Sequence, residues 1–147
     1  MSVVITDFED VRIGRHLASS NLLTNFTDIN GQIKTSPSLF YSEIDLTKLQ
    51  ANQRGMLIRQ SGGTTNASTE SFYDEYNYTI SIFSRAGLAD SGITKGYAKQ
   101  LRSWLKLNSR NDSECIFDIS TQGVSGPFIA EDDRRVYEVG LSVRFFV

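Results

Sequence analysis

A single cysteine, Cys115, excludes an internal disulfide framework, and a single histidine, His16, excludes zinc sites built from cysteine and histidine alone. No apolar run approaches the roughly 20 residues of a membrane-spanning helix, and Met1 to Asp10 lacks a basic stretch followed by an apolar one. The expectation is a soluble protein with no membrane partner, made in a cytoplasm. A surplus of positive charge is missing too, because fifteen Lys and Arg face seventeen Asp and Glu, a net charge of -2. That balance is too even for the broad basic surface with which a protein clamps nucleic acid through counterion release.

What is present suffices for a core. Hydrophobic residues make up 39% and charged residues 22% of 147, which predicts one folded domain spanning residues 1–147. Thr6-Asp7-Phe8-Glu9 has the capping-box pattern, and Phe8, Val11, Leu17 and Leu22 sketch an apolar face weakened by Gly14. These signals predict a first helix over about residues 7 to 22, with Arg12, Arg15 and His16 towards its negative end. The stretch from Thr24 to Ser38 reads as a connection with a short strand around Gln32 to Thr35.

Leu39 to Ile44 is an aromatic and β-branched run that predicts a strand, residues 45 to 54 are polar and break it, and Gly55 to Ser61 predicts a second. Gly62 to Thr69 has nothing to bury and reads as a mobile loop. Tyr76, Tyr78, Ile80 and Ile82 then alternate with Glu75, Asn77, Thr79 and Ser81, the period of a half-buried strand. Ile93, Tyr97, Leu101 and Trp104 recur at helical spacing, with Asp90 or Ser91 as the cap. Cys115 to Thr121 alternates again, and Tyr137, Val139, Leu141, Val143, Phe145 and Val147 oppose Glu138, Gly140, Ser142 and Arg144. The order predicts an α+β fold, a mostly antiparallel sheet of four to six strands with two helices packed on one face and polar residues on the other.

Catalytic chemistry finds little support. His16 lies in a helix beside Arg15, and no Gly-x-Ser-x-Gly elbow occurs. Cys115, next to Ile116 and Phe117, reads as a small buried residue at the start of a strand. Glu131-Asp132-Asp133 lacks the ligand spacing of a calcium loop and reads as a charged hairpin tip. Gly62-Gly63-Thr64-Thr65 is not followed by the Gly-Lys-Ser/Thr of a phosphate loop, and the four Asn-x-Ser/Thr patterns are expected by chance in so polar a chain. The expectation is a protein that is not an enzyme and has no catalytic residue, metal or cofactor. Contacts are the better use of its surface, and Arg59, Arg85, Arg134 and Arg135 are candidates for charge-assisted pairs with a neighbouring copy.

The second half resembles the tail terminator proteins of long-tailed bacteriophages. The matching features are Ile80-Ser81-Ile82-Phe83-Ser84, the amphipathic helix Ile93 to Leu107, the strand Cys115 to Thr121, Gly126-Pro127-Phe128, and the acidic turn leading into Arg134-Arg135-Val136-Tyr137 and the last strand. Asp132-Asp133 stands where that pattern would carry Asp-Gly or Asn-Gly. The resemblance implies a virion protein, assembled in the host cytoplasm as a homo-oligomeric, hexameric ring. Such a ring caps the tail tube, stops its polymerisation and offers a surface to the head completion protein, while DNA passes through unbound. Its expected interface comprises Arg59, Arg85, Phe128, Asp132, Asp133, Arg134 and Arg135. Another phage neck or connector component, a monomeric adaptor, and a small-molecule-binding or enzymatic α+β domain remain the alternatives.

Overall fold

Period-two alternation dominates the computed structural model, which describes residues 8–61 and 73–146. The chain runs through α1 (Glu9–Ala18), β1 (Asn25–Thr27), β2 (Ile33–Thr35), β3 (Ser38–Tyr41), β4 (Gly55–Gln60), β5 (Tyr73–Ala86), α2 (Ser91–Leu107), β6 (Ile116–Ile129) and β7 (Arg134–Phe146). The last five strands form one sheet in the order β3-β4-β5-β7-β6, antiparallel throughout except for the parallel β3–β4 pair. β1 and β2 form a separate hairpin. This is the α+β fold that the alternation predicts.

Both helices lie on one sheet face, because their apolar stripes share one core with the inward residues of the strands. Ile13 and Leu17 of α1 and Tyr97, Ala98, Leu101 and Leu105 of α2 meet Met56, Ile58, Ile80, Ile82, Val139 and Val143. Burying each such side chain contributes about 1.5–3 kcal/mol. Phe26 of β1 closes one end of this layer, edge-on to Tyr97 with ring centroids 4.9 Å apart, while Tyr97 donates to Leu22 O at 2.7 Å. No strand was expected at β1, whose three residues carry too short a pattern to register.

The opposite face is polar over most of its area. Ser81 Oγ donates to Glu138 Oε2 at 2.9 Å and Ser142 Oγ to Glu75 Oε1 at 2.6 Å, both across adjacent strands. One end of that face departs from the expectation, however. The segment 42–54 folds over it, so Ile44 and Leu46 pack on Leu57, Phe83 and Val136 as a second, smaller cluster.

Several boundaries shift for identifiable reasons. The first helix spans Glu9–Ala18, shorter than the expected 7 to 22. Phe8 occupies its N-cap without a side-chain cap bond, and the Thr6 and Asp7 part of the expected capping box lies outside the described residues. At the other end, Ser19 Oγ and Ser20 Oγ donate to His16 O and Leu17 O at 2.7 and 2.5 Å, and Asn21 turns the chain out at φ 66°. β3 stops at Tyr41, three residues before the expected end, because Ser42 adopts φ 64°. β6 runs eight residues beyond Thr121 and absorbs Gly126-Pro127-Phe128 through bulges. The Gly62 to Thr69 loop and Val147 fall outside the described residues.

Candidate interaction surface

β6 is an edge strand, so one side of its backbone has no sheet partner. From Gln122 to Ile129 it also contains no buried residue. Val124 there packs partly on the core, while Phe128 and Ile129 are open, 49% and 71% exposed. The strand turns back into β7 at residues 130–133, where Ala130 N–H donates to Arg134 O at 2.9 Å and Asp133 N–H to Ala130 O at 3.0 Å. This is the charged tip expected of Glu131-Asp132-Asp133. Asp133 takes φ 64°, the left-handed conformation that aspartate tolerates better than most residues, so the turn closes without glycine.

The tip is locked to the body by Arg134, which is 1% exposed. Its Nη1 donates to Gln53 O and Ser84 O at 2.5 and 2.8 Å, and its Nη2 to Leu49 O and Gln50 O at 3.1 and 2.7 Å. Its Nε also pairs with Asp132. The guanidinium thus joins the turn, the end of β5 and the 42–54 segment, and all its donating capacity is used within its own chain. The expectation of an exposed Arg134 is corrected: the side chain is buried because four carbonyls converge on it. Arg135 donates instead to Asp133 O and Oδ1 at 3.0 and 2.8 Å, which stiffens the turn from outside.

The structure therefore gathers Phe128, Asp132, Asp133, Arg134 and Arg135 at one tip. Arg59 lies apart on the polar face, with Nη2 3.9 Å from Glu138 Oε2. Arg85, at the end of β5, is half-buried and borders a cavity of about 310 Å3 with Ser36, Ser38, Asn52, Gln53 and Arg54. A second trough of about 270 Å3 crosses the polar face between Asn77, Thr79, Ser120, Gln122, Gly140 and Ser142. The Gln122 amide occupies the space above Gly140, where a Cβ would stand 2.7 Å from its Oε1.

His16 has a structural role. It is buried against Trp104, ring centroids 4.8 Å apart, with Nε2 2.6 Å from Asn108 O and Nδ1 3.1 Å from Asn111 Nδ2. That pattern assigns the proton to Nε2. Desolvation lowers its pKa below the ordinary histidine value, against the opposing pull of the Asn108 carbonyl and the Glu114 charge. Cys115 is also displaced from its expected place. It is half-buried at φ 56°, ending the helical turn Asp112–Glu114 just before β6, and is not in the core. Among the described residues no group of three or more His, Cys, Asp or Glu converges as a metal site.

Sequence reasoning missed Arg54, which sits in the polar break. Its Nε and Nη2 donate to Asp90 Oδ2 and Oδ1 at 2.8 and 2.6 Å, both partners being buried, and its Nη1 donates to Thr35 O at 3.2 Å. Asp90 is the N-cap residue of α2 but makes no side-chain cap bond. Burial alone would raise its pKa, yet the hydrogen bonds from Arg54, Arg85 N–H and Thr94 outweigh this and lower it. Nothing in the spacing of Arg54 and Asp90, far apart in the chain, signals the pair. No protein-family model matches the chain, and no curated protein matches it.

Proposed function

We propose that this chain is a ring-forming structural protein of tail terminator type, which caps a phage tail tube, stops its polymerisation and presents the surface for head joining. The observation that carries the reading is the outer half of β6, an edge segment with no buried residue that exposes Phe128 and Ile129 beside a rigidly held turn. An open edge flanked by exposed apolar side chains is a liability for a protein that works alone and an asset for one that pairs with copies of itself. Identical subunits joined head to tail close into a ring when the rotation permits, and six copies is the number the resemblance implies. The net charge of -2 supports passage of DNA through such a ring, because a basic lumen would retain the phosphate backbone.

Sedimentation velocity and negative-stain imaging of the protein, alone and mixed with tail tubes, test this reading. The expected result is rings of one size, weakened by about tenfold or more in Phe128→Asp, Ile129→Asp, since both introduce charge into an apolar contact. A protein that stays monomeric under both conditions overturns it. So does a double variant that assembles like the parent, for then the β6 edge is not the contact.

A further inference from the structure

The cavity beside Arg85 combines three features that belong together chemically. Four buried side-chain polar atoms among the described residues lack a hydrogen-bond partner, and two of them, Ser36 Oγ and Arg85 Nε, belong to residues that border this one cavity. Ser36 is only 8% exposed. An orphaned buried donor is costly, about 1–3 kcal/mol, and native structures tolerate few of them without a water, ion or ligand to take the bond.

The second feature is charge. Two arginines border the cavity, and the guanidinium of Arg54 is neutralised by its bidentate pair with Asp90. Among the described residues Arg85 has no such pair: its backbone N–H donates to Asp90 Oδ2 at 3.0 Å, while its buried Nε has no hydrogen-bond partner. The cavity is thus bordered by one arginine whose side chain has no carboxylate pair like that of Arg54, together with the polar residues Ser36, Ser38, Asn52 and Gln53.

The third feature is a rigid frame. Arg54 ties its own segment to Thr35 O and to Asp90, Asp90 holds the Arg85 backbone, and Arg134 holds Gln53 O. A frame held by its own hydrogen bonds needs little reorganisation on binding. The volume, about 310 Å3, leaves room for a small organic acid or a phosphate.

We propose that this cavity binds a small oxyanion, a carboxylate or phosphate carried by a free small molecule, with the Arg85 guanidinium as its counter-ion and the Ser36 hydroxyl as a further donor. Arginine's planar fork matches either oxyanion, and a χ1 rotation brings a serine hydroxyl onto an adjacent acceptor. A single copy of the chain suffices, so the inference stands or falls independently of ring formation.

The test is a titration of the isotopically labelled protein with inorganic phosphate and, separately, with succinate, against chloride at matched ionic strength. Saturable shifts of the Ser36 and Ser38 amides and of the Arg85 side-chain N–H are expected with at least one of the two, and which one saturates identifies the oxyanion. Arg85→Gln should weaken binding by about tenfold or more, and Arg110→Gln, an exposed arginine elsewhere, should leave it unchanged. If Arg85→Gln fails to fold, as judged by circular dichroism, Ser36→Ala takes its place with the same direction of effect. Absence of saturation with both anions, shifts that map elsewhere, or equal affinity in the folded variant overturns the proposal.

Discussion

Arg134 makes five hydrogen bonds from a site that is almost closed to solvent, four of them to backbone carbonyls of segments distant in the chain. Truncation would leave those carbonyls without this donor, two of them, Ser84 O and Leu49 O, in buried positions. Arg134→Ala should lower stability by roughly 3 kcal/mol or more, and Arg134→Lys should recover only part of this, since an ammonium cannot span four acceptors. Arg135→Gln, by contrast, removes an outer contact to Asp133 and should cost about 1 kcal/mol or less. Urea denaturation of the three variants checks both statements, and equal midpoints for Arg134→Ala and Arg135→Gln would refute the distinction. Adjacent arginines of identical composition thus have unlike roles, which no local pattern reveals. The same holds for Arg12, whose Nε and Nη2 reach Glu114 O at 3.0 and 2.8 Å and whose guanidinium lies 4.4 Å above the Phe145 ring. Read from the chain, it is merely a cation within a helix.

At the scale of the element, Gly14 reverses the meaning that helix propensity assigns it. Mid-helix glycine costs about 1 kcal/mol relative to alanine, so Gly14→Ala would ordinarily stabilise α1. Here a Cβ would stand 1.9 Å from Tyr41 Oη and 2.8 Å from Cζ of that ring, because β3 lays its last side chain across the helix at this point. Gly14→Ala is expected to destabilise the protein, and to stabilise it by up to about 1 kcal/mol in a Tyr41→Ala background. A double-mutant cycle by thermal denaturation reads the change of sign. Both helices and the long strands were legible in the chain because their patterns repeat often enough to stand out. The Tyr76 to Ile82 and Tyr137 to Phe145 alternations place their side chains on the core face as read. β1 was not legible because three residues show no period, and the end of α1 was set by serine side chains competing for its last carbonyls. Of the candidate surface, the acidic tip was legible from composition, while its anchoring was not.

For the molecule as a whole, His16 couples packing to pH. It joins α1 to the segment after α2 through Asn108 and Asn111, and burial, opposed by the Asn108 carbonyl and Glu114, holds its pKa below 6.5. The unfolded chain therefore takes up a proton before the folded one does. The contribution of His16 to stability is complete above about pH 6.5 and is lost as the pH falls below it. The parent should lose stability over that range, and His16→Gln, which cannot titrate, should lose less when both are followed by urea denaturation. Parallel pH profiles would show that His16 is not the titrating group.

Composition and periodicity were enough to determine an α+β domain, its two amphipathic helices and the inward faces of its long strands. Those properties follow from neighbours within one turn or one pleat, where the spacing of apolar residues is itself the physical cause of burial. The tertiary structure alone decided that Arg54 and Arg134 are buried, that Arg85 borders a cavity with its Nε unpartnered, and that the 42–54 segment covers one end of the polar face. Each depends on carbonyls and carboxylates delivered from segments tens of residues away. An arginine has the same five donors wherever it stands, and only the path of the rest of the chain determines whether water, a carbonyl or an anion receives them.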